Sequence, residues 1–110
     1  MQYNRIQYNT IPAGDEKLEE IRKRIDEIDD SIADLLAKRM YYANKSKIEK
    51  LQLNKPIIDE QRQNEVIEKW RERARKKSGD RGYDLSEEMM RKIAELIIEY
   101  TVKNEMEGQQ

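Results

Sequence analysis

Three cations are spaced along one predicted helix in a way that suits the capture of a small anion: Arg22, Arg39 and Lys50. The stretch from Leu18 to Lys50 carries Leu18, Ile21, Ile25, Ile28, Ile32 and Leu35 at alternating steps of three and four. That is the seam of a long amphipathic helix made to pack on other helices. The next seam position is Arg39, and a guanidinium facing a core is costly unless an anionic group meets it. Lys50 follows 11 residues later, close to three turns, which puts both on one face about 16 Å apart along the axis. Side chains of that reach can converge on one anion. Arg22 stands 17 residues before Arg39, about 25 Å away, a gap that two arginines and a small ligand barely bridge. It would join such a site most easily from a second, antiparallel copy of the helix. Taken alone, this segment fits a coiled coil with salt-bridged flanks better than it fits a site.

Composition narrows the options. Of the 110 residues, 36% are hydrophobic and 41% charged, so a monomer would bury little apolar surface and association between chains is expected. Lys and Arg total 22 against 23 Asp and Glu, a balance that names neither a nucleic-acid nor a membrane partner. The chain has no Cys and no His, which excludes disulfides, thiol chemistry, His-based metal sites and His acid–base catalysis. The opening MQYNRIQYNT is too polar for a signal peptide, and no apolar run approaches a membrane span, so a cytoplasmic protein is the default expectation.

The elements that must position the cations are three helices. Residues 1–14 show no period and read as a flexible leader ahead of a helical domain over 15–107. Asp15 is the expected N-cap of the first helix, which runs to about Lys50. Asn54 and Pro56 mark a turn. Asp59 is the expected N-cap of a second helix with Val66, Ile67, Trp70 and Ala74 on one side. Arg62 and Gln63 lie one turn before Val66 and Ile67, on or beside that stripe. Trp70 reads as a core anchor. The basic run Arg71, Arg73, Arg75, Lys76 and Lys77 reads as a solvated helix end complementing the dipole rather than a phosphate site. A loop over 78–83 follows. Asp84 with Glu87 fits a capping box opening a third helix. Its apolar face is Met89, Ile93, Leu96, Ile97 and Tyr100. Thr101 and Glu105 continue the line of Ile97 at steps of four. An acid ending such a line either emerges into solvent, the usual case, or lines a polar pocket. Residues 108–110 should fray.

These polar positions together resemble a known pattern. Ile21-Arg22, Ile28-Asp29 and Leu35-Leu36-Ala37-Lys38-Arg39, then Lys50, Pro56-Ile57-Ile58-Asp59 and Arg62, then Leu96-Ile97-Ile98-Glu99 and Thr101 are similar to the all-helical (AroQ-class) chorismate mutases. The likeness covers Leu18 to Glu105, and the joint spacing is more specific than any single piece. It implies an all-α, intertwined homodimer of three-helix chains with antiparallel first helices, and the Claisen rearrangement of chorismate to prephenate in phenylalanine and tyrosine biosynthesis. No cofactor or metal is implied. Carried over position by position, Arg22 from the partner chain and Arg39 grip the substrate carboxylates. Lys50 bridges a carboxylate and the ether oxygen. Arg62 supports the site, Asp59 orients the hydroxyl end of the ring, and Thr101 helps hold the ring carboxylate. Planar guanidiniums suit carboxylates, and fixed cations suit the charge that grows on the ether oxygen.

Two positions depart from the family pattern. Gln63 stands where a glutamate usually accepts from the ring hydroxyl, and an amide oxygen still accepts. Glu105 stands where a glutamine often donates to the ether oxygen. An ionised carboxylate cannot donate and repels the developing charge. Either Glu105 works protonated, with activity rising toward acidic pH, or it turns outward and Asn104 or Lys103 supplies the donor. Two alternatives to the mutase stay open: isochorismate pyruvate lyase, which uses the same scaffold and cations, and a non-catalytic helical dimerisation or regulatory module.

Overall fold

The computed structural model describes residues 13–79 and 83–107. The expected leader positions 1–12 and the expected fraying end 108–110 lie outside them. Three α-helices make up the described chain: α1 (Ala13–Gln52), α2 (Glu60–Lys77) and α3 (Glu87–Glu107), with no strand among the described residues. The all-α, three-helix expectation holds. The chain divides into two compact units between Arg39 and Met40, inside α1.

In the first unit α1 is regular and bare. Leu18, Ile21, Ile25, Ile28, Ile32 and Leu35 are all exposed, Leu35 at 61%. The helix begins two residues ahead of the expected cap, so Asp15 is not the N-cap but sits with Glu16 in the first turn. There both acids still face the positive end of the helix dipole.

In the second unit α2 and α3 pack on each other. Val66 and Ala74 on α2 and Ala94 on α3 are buried, the two alanines completely. Small side chains at such positions let backbones approach closely. Trp70, the expected core anchor, is half-buried. Thr101 on α3 donates its hydroxyl to the Ile97 carbonyl at 2.7 Å, and that oxygen lies 3.5 Å from Sδ of Met40 on α1.

The helix ends follow local chemistry. After Gln52, α1 closes in a Schellman turn: Asn54 takes φ of 57°, its N–H donates to Leu51 O (3.2 Å), and the Lys55 N–H donates to Lys50 O (2.8 Å). Asparagine tolerates that left-handed position better than most residues. Asp59 caps α2 as expected, its carboxylate accepting from the Arg62 N–H at 3.0 Å. The start of α3 differs from expectation. Ser86 is the capping residue, its hydroxyl accepting from the Met89 N–H at 3.2 Å, and Asp84 lies outside the helix. Glu87 instead accepts from Arg75 at 2.8 Å.

Between α2 and α3, Ser78 acts as a clasp. Its hydroxyl reaches Ala74 O (3.0 Å) and Leu85 O (2.8 Å), and Gly79, at φ of 83°, donates its N–H to Tyr83 O. Of the basic run at the end of α2, Arg71 and Arg75 pair with Glu68 and Glu87, and those hydrogen bonds hold the Arg75 guanidinium above its ordinary pKa. Exposed pairs of this kind add little to stability, but they agree with a solvated helix end rather than a phosphate site.

Candidate active site

Lys50 is the best-defined of the expected site residues. It sits in the last turn of α1, half-buried, and its ammonium donates to the Ile57 carbonyl at 2.8 Å. The Schellman turn brings that carbonyl within reach. The Lys50 backbone carbonyl is itself held by Lys55, so this residue is fixed at both ends.

Glu105, on α3, points inward. It is 6% exposed and shares its surroundings with Lys50 and with a lysine not singled out from the sequence, Lys47, 8% exposed. Burial pushes the Glu105 carboxyl above its ordinary pKa, while the positive fields of Lys50 and then Lys47 oppose the shift. Desolvation prevails because the hydration lost on burial outweighs the coulombic attraction of the two ammoniums. The outward alternative for Glu105 does not match this placement. Asn104 and Lys103 are exposed, and Lys103 is engaged with Glu99 at 3.2 Å and with the Tyr100 ring.

The other expected residues are placed as follows. Thr101 lies one turn before Glu105 on α3, half-buried. Gln63 is half-buried and lines a groove of about 480 Å³ between α2 and α3, with Ile67, Ile98 and Val102 among its walls. Neither Lys50 nor Glu105 lines that groove. Arg62 is exposed, its guanidinium 3.7 Å from Glu65, and the Asp59 carboxylate is engaged in capping. In the first unit, Arg22 is exposed and pairs with Glu19 at 2.9 Å, and Arg39 is half-buried. The second unit thus brings Lys50, Glu105 and the unforeseen Lys47 together.

Lys47 left a signal in the sequence. It falls eight residues after Arg39 and three before Lys50, a helical spacing from both. A lysine beside other lysines reads as solvated, which hid it. Among the described residues, no cluster of acidic, His or Cys side chains fits a metal ion, and no helix is long and apolar enough to cross a membrane.

A half-buried Lys50 beside a buried Glu105 on a three-helix chain matches two of the polar residues expected of one family, and the family's sequence model decides the matter. The model for chorismate mutase type II matches residues 21–106. The chain belongs to the chorismate mutase type II family. The match runs from the seam of α1 to the residue after Glu105, so it spans both units and every expected site position. No curated protein and no solved structure matches the chain. Chorismate mutase type II membership makes chorismate the family-level substrate and isomerisation the family-level reaction.

Proposed function

We propose that this chain is itself a chorismate mutase, acting as a homodimer in which Arg22 of one chain completes the site of the other. The observation that carries the reading is the half-buried Lys50 ammonium, fixed by Ile57 and near the buried Glu105, in a chain matched by the family over 21–106. Support for a second copy comes from the bare seam, since a line of six exposed aliphatic residues is costly to leave in water.

The reaction breaks the ether C–O bond and forms a C–C bond within one molecule, with no group gained or lost. Its barrier falls in two ways. Arg39, partner Arg22 and Thr101 hold the two carboxylates so that the side chain folds over the ring, which is an orientation effect. Lys50 meets the negative charge that grows on the ether oxygen, which stabilises the transition state more than the substrate. Arg62 flanks the site, Asp59 sets the hydroxyl end of the ring through its backbone, and Gln63 accepts from that hydroxyl. Protonated Glu105 donates to the ether oxygen, and its burial favours that form. Activity therefore rises as pH falls. The bound dianion pushes the carboxyl further in the same direction.

The test is turnover of chorismate by the purified chain from pH 5 to 8, followed by loss of ultraviolet absorbance and identification of the product. Prephenate supports the reading. Release of pyruvate from isochorismate without prephenate formation identifies the lyase instead. No turnover of either substrate leaves a non-catalytic module. A flat profile from pH 5 to 8 removes the role given to Glu105.

A further inference from the structure

Lys47 and Glu105 are the two buried charged side chains among the described residues. Lys47 is turned inward while the next residue, Ile48, is 47% exposed. An amphipathic helix normally does the reverse, and a lysine on an apolar surface normally keeps its ammonium in water. Nor is the pair closed on itself: among the described residues neither Lys47 nor Glu105 makes a hydrogen bond or an ion pair within 4 Å, while Lys50 donates to Ile57. Buried groups left in this state carry a penalty unless a ligand completes them. The charged groups whose fields reach the Glu105 carboxyl are Lys50 and Lys47, both from α1, with none from α2.

The charge count gives the role. With Arg39 and the partner's Arg22 given to the carboxylates, an ionised Glu105 facing Lys50 alone would leave the wall at the ether oxygen neutral, a poor surface for the charge that develops there. Lys47 restores one net positive charge. It also offsets the repulsion between a Glu105 carboxylate and the charge developing on the ether oxygen. We propose that Lys47 is a positioning residue of the mutase site, acting through Glu105 as its counter-charge so that the wall stays cationic toward the substrate when Glu105 is ionised. This rests on the mutase reading above. It extends that reading to higher pH, where the protonated share of Glu105 falls.

The experiment is a double-mutant cycle on the full chain, with kcat/KM for chorismate measured at pH 5 and pH 8. Lys47→Met should lower kcat/KM about a hundredfold at pH 8, the size of effect seen when one fixed electrostatic group is lost from a site. The loss should shrink at pH 5, where a larger share of Glu105 is protonated than at pH 8. In a Glu105→Gln background, with no carboxylate to neutralise, Lys47→Met should cost less than about fivefold at either pH. Lys47→Arg should recover most of the wild-type rate. Equal losses in both backgrounds and at both pH values would show a packing role and overturn the inference, as would no loss at all. If Lys47→Met fails to fold, Lys47→Gln carries the same comparison. An active wild type with an indifferent Lys47 defeats only this inference. A wild type and a Glu105→Gln variant that both leave chorismate untouched defeat the mutase reading, and the inference with it.

Discussion

Up to Arg39, α1 sets six aliphatic side chains in one line and leaves all of them exposed, whereas the unit that begins at Met40 buries a lysine and a glutamate. The first region has apolar surface without a cover. The second buries Lys47 and Glu105 with no hydrogen bond or ion pair among the described residues. In a folded monomer both arrangements are unfavourable, for opposite reasons: one leaves hydrocarbon in water, the other takes charge out of it. The proposed function gives each region its own completion: a second copy of the helix for the first, and a small anion for the second.

The largest expected effect comes from breaking the first region. Ile28→Glu places a charge in the middle of the seam. If that face were truly solvated, stability would change by no more than about 0.5 kcal/mol. If it is a dimer seam, sedimentation equilibrium should show loss of a species of twice the 13.2 kDa chain mass, and kcat/KM for chorismate should fall by at least about a thousandfold as the partner's Arg22 is lost from the site. An unchanged mass and rate would undo the dimer.

Breaking the second region comes next. Lys50→Ala should lower kcat/KM by roughly a hundred- to a thousandfold while far-ultraviolet circular dichroism stays helical. Arg39→Ala should give a loss of similar order. A module without catalysis would tolerate either change in its biological role.

Glu105→Gln sharpens the comparison rather than breaking it. The amide donates at every pH, so the rate at pH 8 should rise about tenfold and the profile should flatten. Stability should move too. Because burial raises its pKa, Glu105 keeps its proton to higher pH in the folded chain than in the unfolded chain. Stability is therefore lost as pH rises from the ordinary carboxylate value through the raised one, and the penalty is complete above it. Glu105→Gln should be the more stable protein at pH 8 in urea denaturation, with its advantage fading below about pH 4.5. An advantage that grows toward acid would reverse the assignment.

The smallest effect tests the division of labour at Asp59. Asparagine caps a helix as well as aspartate, so Asp59→Asn should leave stability and rate nearly unchanged, whereas Asp59→Ala should cost about 1 kcal/mol through the lost bond to the Arg62 N–H. A large rate loss in Asp59→Asn, measured by chorismate turnover, would show that the carboxylate charge itself touches substrate.

Sequence alone made the three helices legible because their signals are local. The period of the seam, Asn54 with Pro56, and Asp59 at a cap each depend on neighbours within a few residues. It misplaced two helix starts. Ser86 stands closer to α3 than Asp84 does, and the start of α1 extends past Asp15. Of the candidate site, Lys50 and Glu105 stood out by type and spacing, and the structure places the first half-buried and the second buried. The inward turn of Lys47 was not, because it depends on what α3 presents to the end of α1. No rule of adjacency reveals a lysine made to face a glutamate 58 residues away.

The turn after α1 has a consequence for how this protein can vary. Lys50 is anchored through main-chain atoms alone, by the N–H of residue 55 and the carbonyl of residue 57, both of which any ordinary amino acid supplies. Side chains at those two positions can therefore drift without moving the ammonium. The left-handed step at Asn54 is different, since only asparagine or glycine takes it at little cost, and a branched side chain there would swing the tether away. Tolerance to replacement along this loop should be generous on either side of one narrow point.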